Sequence, residues 1–196
     1  MTRAQHPIEI ESYRILRSKV NTEVLPPYTR AVIERVIHTS ADLDYATDLI
    51  CDEEALRAGQ QALAAGTTLV VDVRMLAAGI TSRPCVVALD VAGDPPGGLT
   101  RSAAGIRAAA AEHSEGAVWA VGNAPTALRE LIRLAVDGLV RPALVIGLPV
   151  GFVDAAKAKA VLRESGLPAL SNRSAKGGAA VAAAAVNALL YWGPSQ

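Results

Sequence analysis

Two four-residue apolar runs stand out in the second half of the chain, Val118 to Val121 and Ala143 to Ile146, each followed by a glycine. Short continuous apolar runs of this kind read as strands buried on both faces of a parallel sheet. After the first run comes Gly122-Asn-Ala-Pro-Thr126, and then Ala127, Leu128, Leu131, Ile132 and Leu134 recur at helical spacing. Pro125 suits the first turn of that helix, where its missing N–H leaves no bond unmade. The second run leads into the loop Gly147 to Phe152 and a further helix from Asp154. Strand, loop and helix therefore occur twice, with both loops at strand C-terminal ends. In open parallel sheets ligands bind at that edge, and helix N-termini there offer N–H donors to an anion.

The rest of the chain fits round this unit. Pro7 opens a first helix with Ile8, Ser12, Ile15, Leu16 and Lys19 along one side, and Pro27 opens a second that runs to about His38. Residues 39–42 cap a third helix containing Leu43, Ala46 and Ile50, and Asp52 caps a fourth that ends at Gly66. Thr67 to Val73 and Cys85 to Leu89 read as strands, separated by a helical turn at Met75 to Thr81. Thr100 starts an alanine-rich helix that reaches about Ser114, and Gly166 to Leu170 is a last short strand. Asn172 to Gly178 is a polar, basic loop. Gly178 to Leu190 is apolar on nearly all sides, which requires burial against the sheet or a second subunit. The pattern predicts an α/β fold: a three-layer α/β/α sandwich in one domain, with a mainly parallel, about five-stranded sheet and a helical N-terminal third.

The chain has 196 residues, enough for one domain of ordinary size, and 51% of them are hydrophobic while only 4% are aromatic. The core is therefore aliphatic and rich in alanine. A formal net charge of zero argues against general binding to nucleic acid or a membrane surface. Cys51 and Cys85 have no metal-type spacing and read as reduced thiols. No apolar signal core and no bilayer-length run occurs, so a cytoplasmic location is expected.

Candidate chemistry is sparse. His6 falls in an expected tail, and His113 at a helix end, where a cation suits the dipole. His38 lies between an amphipathic helix and a polar connection, and near neutral pH it can give or take a proton. The glycine-rich phosphate loops and the Gly-x-Ser-x-Gly word are absent. Arg17, Arg83, Arg101, Arg173 and Lys176 fall at loops or helix ends. Each alone reads as solvated charge. Arg101 between Thr100 and Ser102 nonetheless gathers donors at a helix start, and with Lys176-Gly-Gly178 it is suited to gripping carboxylates.

Several words occur in one order and cover nearly the whole chain. They are Ser12-Tyr-Arg-Ile-Leu-Arg17, Val36-Ile-His38, Thr100-Arg-Ser102, Val121-Gly-Asn-Ala-Pro-Thr-Ala127, Ile146-Gly-Leu-Pro-Val-Gly-Phe-Val153 and Lys176-Gly-Gly178, with Ala183 to Leu189 completing the set. In these words the chain resembles the precorrin-8X methylmutases, or precorrin isomerases, of corrin biosynthesis. The resemblance implies a cofactor-free, homodimeric isomerase with its sites near the subunit interface. Such an enzyme moves a methyl group from carbon 11 to carbon 12 of a corrin macrocycle, giving hydrogenobyrinic acid or its cobalt counterpart. It puts the catalytic histidine at His38 and substrate contacts at Ser12, Thr81 and Arg101. Arg17, Ser102, Asn123 and Lys176, from the same words, complete the candidate binding set; no metal ligands are expected.

Three positions depart from the family's usual pattern: Ala41 where a glycine is expected, Ala78 in place of a histidine before Gly79, and Ala175 in place of an arginine before Lys176. The first two bear on pocket shape and the last on carboxylate binding. The implied chemistry is intramolecular and redox-neutral, so holding the macrocycle and donating one proton or hydrogen bond suffices. A corrinoid carrier or sensor without turnover is the alternative that the same pattern leaves open.

Overall fold

Pro7 and Pro27 each sit in a helix first turn, and the helices run as α1 (Pro7–Lys19) and α2 (Pro27–Ser40). The computed structural model describes residues 6–95 and 97–193. After α2 come α3 (Tyr45–Asp48), β1 (Leu49–Cys51), α4 (Glu53–Ala64), β2 (Leu69–Val71), α5 (Arg74–Ala78) and β3 (Val86–Val87). The second half continues with α6 (Arg101–Glu112), β4 (Val118–Val121), α7 (Pro125–Val136), β5 (Leu144–Gly147), α8 (Ala155–Glu164), β6 (Ala169–Asn172) and α9 (Ala179–Leu190).

The six strands form one sheet in the order β1-β6-β5-β4-β2-β3, parallel throughout except for the antiparallel edge pair β1–β6. The extra strand is β1. Its Leu49-Ile-Cys51 falls where the periodicity predicts the end of a helix, but Asp48 and the β6 edge recruit it: Leu49 pairs with Asn172 and Cys51 with Leu170. His6, expected in a tail, instead caps α1, its Nδ1 accepting from the Ile8 N–H at 3.2 Å.

Both faces of the sheet are covered. Leu69, Val71, Val118, Ala120, Leu144 and Ile146 face a layer built from α2, α4, α5 and α9. Val70, Trp119, Val121 and Val145 face α6, α7 and α8. The alternation of Cβ direction along each strand makes these two sets. Helix α9 lies on β4 and β5, α4 and α5 flank it, and α2 packs across it. Its apolar faces are therefore covered within the chain, so α9 does not by itself require a second subunit. No helix among the described residues is long and apolar enough to cross a membrane.

The strand order reverses between β2 and β4: the chain leaves β2 outward to β3, then returns across to β4 and proceeds to β5 and β6. This is the switch point at which doubly wound sheets open a crevice. Gly122 follows β4 there, and a Cβ on it would stand 2.9 Å from Ala179 Cα, so only glycine lets the turn touch α9.

One fully buried lysine fastens the other side of this edge. Lys159 of α8 donates to Asn172 Oδ1 at 2.8 Å and to the Lys176 carbonyl at 2.7 Å. Asn172 in turn donates to Asp48 Oδ2, which also accepts from the Ser174 hydroxyl. Burial pushes the Lys159 ammonium down to about 8. Its folded pKa lies below its unfolded one, so folding releases a proton between about pH 8 and the ordinary lysine range, and stability rises with pH across that window. We expect Lys159→Met to destabilise by about 1–3 kcal/mol at pH 7, because the buried Asn172 Oδ1 loses its donor and the Lys176 carbonyl keeps only its bond from Asn172 Nδ2. The wild-type advantage should then grow by on the order of 1–3 kcal/mol towards pH 10. Urea unfolding of both proteins at pH 7 and pH 10 measures the two differences, and parallel stabilities at the two pH values would refute the titration.

Candidate active site

His38 occupies the last turn of α2 rather than a loop, half-buried against α1. Ser12 of α1 meets it, Oγ to Nδ1 at 2.7 Å. The Tyr13 ring stacks on the imidazole, centroids 5.1 Å apart and planes 16° from parallel. Arg35, one turn before His38, pairs with Glu9 and donates to the Tyr13 hydroxyl at 3.4 Å. Glu9, Ser12, Tyr13 and Leu16 share the α1 side that meets α2, so a helical period of three to four brings these partners together.

Desolvation lowers the His38 pKa below the ordinary histidine value, and the Arg35 guanidinium adds to that effect, while Glu9 opposes it. At neutral pH the ring is therefore neutral. A neutral imidazole has one N–H and one acceptor nitrogen. If Ser12 donates to Nδ1, the proton sits on Nε2 and is available to a ligand.

Ala41 ends α2 in the left-handed region, φ 54° and ψ 22°, with its N–H on the Ile37 carbonyl at 2.8 Å. That conformation costs a residue with a Cβ roughly 1–2 kcal/mol. Glycine is the residue expected at this position, and the φ value explains why.

Two expected substrate ligands are already engaged. Arg17 holds Glu34 through Nε at 3.0 Å and Nη2 at 2.7 Å, with Arg30 on the same carboxylate, and its guanidinium lies over the Tyr13 ring at 5.6 Å. The Lys176 ammonium bridges Asp42 and Asp44 at 2.7 and 2.6 Å. Both are therefore structural clamps in the protein as it stands. Arg17 backs the ring on which His38 stacks, and Lys176 ties the turn after α2 to the loop after β6.

Arg101 and Ser102 stand at the head of α6, and Asn123 in the turn that leads into α7. The Thr100 hydroxyl caps α6 at the Ala103 N–H. Thr100 Oγ1 also meets Thr126 Oγ1 of α7 at 2.8 Å, joining the heads of the two helices. Arg101 and the Asn123 side chain are exposed, and among the described residues Arg101 has no carboxylate partner. Thr81 is exposed on the segment after α5, next to the buried Ile80. The structure thus joins His38 to Ser12 and brings the head of α6, with Arg101 and Ser102, to the head of α7, which Asn123 precedes, while Thr81 stands on a third segment.

The backbone donors expected to receive an anion at the head of α7 are not free. The Asp72 carboxylate accepts from the N–H groups of Gly122, Asn123 and Ala124 at 3.1, 2.7 and 3.2 Å. Burial raises its pKa, and these three N–H groups pull against that. The reason for the difference is visible in retrospect: Asp72 is a carboxylate inside the apolar run Thr67 to Val73, and a buried charge needs partners. Helical phase, read as a pair of facing turns, also carries the signal for Glu9, Tyr13 and Arg35 around His38.

A family model described as precorrin-8X methylmutase matches residues 7–192. The precorrin-8X methylmutase of Pseudomonas aeruginosa is 39% identical over 192 residues, covering 91% of each chain. The cobalt-precorrin-8 methylmutase of Priestia megaterium is 35% identical over 193 residues, covering 93% of this chain and 85% of the relative. The solved precorrin-8x methyl mutase of Thermus thermophilus superposes with a TM-score of 0.83 at 34% identity, covering 93% of each chain.

The field at His38 yields a prediction. Arg35→Met removes a cation near the ring and frees Glu9, and both changes favour the imidazolium. The His38 pKa should rise, read from its imidazole resonances in an NMR pH titration. A value that stays put or falls would show that Arg35 does not set the charge state of the ring.

Proposed function

The chain belongs to the precorrin-8X methylmutase family, and on that premise we propose that it isomerises precorrin-8X, or its cobalt counterpart, by moving a methyl group from carbon 11 to carbon 12. The observation that carries the reading for this chain is the 2.7 Å contact between Ser12 Oγ and His38 Nδ1. Ser12 donates to Nδ1, so Nε2–H faces the macrocycle as the donor. The hydrogen bond from Nε2 draws electron density from the conjugated system and lowers the barrier to methyl migration, and the proton stays on Nε2 throughout. Full proton transfer would need the imidazolium, which the substrate carboxylates favour and Arg35 opposes. Atoms and electrons balance, since one methyl changes carbon and no group leaves.

The substrate is a polycarboxylate, and Arg101 is the cation best suited to meet it. Arg101 is exposed at the head of α6 next to Ser102, and Thr100 bonds that head to the head of α7, which Asn123 precedes. Arg17 and Lys176 act in this reading through the elements they clamp, not through direct contact. In this reading Thr81 and Ser12 serve as hydroxyl ligands, Ser12 through the oxygen lone pairs left free by its bond to His38.

His38→Ala should fold and bind pigment but convert it about 10²–10⁴-fold more slowly in single turnovers. Arg101→Ala should weaken binding by about 1.5–3 kcal/mol, with a smaller salt dependence than the wild type. Absorbance of the bound corrinoid reports both binding and conversion. Wild-type protein that binds the pigment without changing it would be a carrier, and His38→Ala turning over at the wild-type rate would remove His38 from the chemistry.

We further propose a two-fold homodimer. Its support is exposed apolar surface: Phe152 and Val153 after β5, and Ile8, Ile10 and Ile15 on α1. Light scattering at micromolar concentration should give twice 20.3 kDa, and a mass of 20.3 kDa would refute the dimer.

A further inference from the structure

Asp72 and Lys159 are the most deeply buried charged groups that the mechanism leaves unused, and Asp72 is the one at the switch point. Only 1% of its surface is exposed. It follows β2 directly, and the turn it grips follows β4 directly, so it lies in the crevice where the strand order reverses. Three consecutive backbone N–H groups converge on its two oxygens. Such a concave run of N–H donors at a helix head binds anions in many proteins. Here the chain fills it with its own carboxylate.

The turn so held is the one that presents Asn123. Its next residues, Ala124 to Thr126, start α7, and Thr126 is bonded to Thr100 beside Arg101. On its other side Gly122 presses on the start of α9. One carboxylate therefore connects β2, β4, α7 and α9, and through Thr126 it reaches the head of α6.

Resting on the reading of the site given above, we propose that Asp72 is a positioning residue: it occupies the anion nest at the head of α7 and thereby holds Asn123 and Arg101 in place for the substrate. Two consequences follow. Substrate carboxylates are met by side chains at this edge and not by the α7 amides. Loss of the Asp72 carboxylate should loosen the binding cluster while leaving the His38–Ser12 pair, on α1 and α2, as it is.

The test uses the full-length protein with two substitutions. Asp72→Ala vacates the nest, and Asp72→Asn keeps its shape but replaces one acceptor oxygen by a donor group facing N–H groups. Both should raise KM on the order of tenfold or more, with a smaller change in kcat and an unaltered pH profile. Formate, a small carboxylate, should restore KM in Asp72→Ala and raise its Tm. It should do neither for wild type or for Arg101→Ala. A folded Asp72→Ala with wild-type KM, or with no response to formate, overturns the proposal. If neither variant folds, the wild type decides by NMR. On addition of hydrogenobyrinic acid the Gly122, Asn123 and Ala124 amide protons should keep their hydrogen-bonded shifts, and a large change in all three would show that ligand carboxylates replace Asp72. An inactive wild type would sink the assigned reaction, while the Tm response to formate would still report on the nest.

Discussion

A parallel sheet covered on both faces leaves function nowhere to go but its ends. Val70, Val71, Val118, Trp119, Val145 and Ile146 are all buried completely, and none can reach a ligand. Polar side chains must therefore leave from strand termini, and each one that is buried there must find a partner. Asp72 finds three amides, Asn172 finds Asp48 and Lys159, and Lys159 finds a carbonyl. The C-terminal edge is stitched to itself before any ligand arrives. What it can offer a macrocycle is the outer row of side chains on helix heads.

The second layer of helices does a different job. Helices α1 and α2 carry the imidazole, and its setting is made from groups that do not need to touch substrate. Tyr13 stacks on it, Arg35 and Glu9 set its field, and Glu34 gathers Arg17 and Arg30 behind the Tyr13 ring. A ring packed on one side and bonded at Nδ1 loses little freedom when it meets its target. This is pre-organisation of the imidazole proposed to act on the substrate, by pairs that are complete within the chain.

Much of this was legible in the amino-acid pattern and some was not. The β4–α7 and β5–α8 units follow from the apolar runs and the glycines that end them, because a buried strand leaves little choice of residue. His38 and Ser12 are legible as members of matching words, and their contact follows from two amphipathic helices facing one another. The edge strand β1 was not legible, since three residues carry no period of their own and pairing with β6 decides their state. Nor was the engagement of Lys176 and Arg17, because charge in a sequence does not reveal whether its partner is a ligand or a neighbouring carboxylate. Asp72 lay between these cases: its place in an apolar run marks burial, but its three amide donors come from residues about fifty positions away.

Helix α9 has one more consequence, which concerns disorder and not contact. Seven of its twelve residues are alanine, and it lies at the centre of the layer between the sheet and α2. An alanine has no side-chain rotamer to freeze on burial, whereas each leucine or isoleucine gives up about 0.5–1 kcal/mol of such freedom. Helix α9 therefore joins the layer nearest the middle of the sheet at a much smaller side-chain entropy penalty than a leucine-rich helix would. It also sets its spacing by backbone approach, as at Gly79, where an added Cβ would stand 2.7 Å from that of Ala183. Substitutions in α9 should be governed by volume far more than by polarity or helix propensity, and drift there should be confined to the smallest side chains.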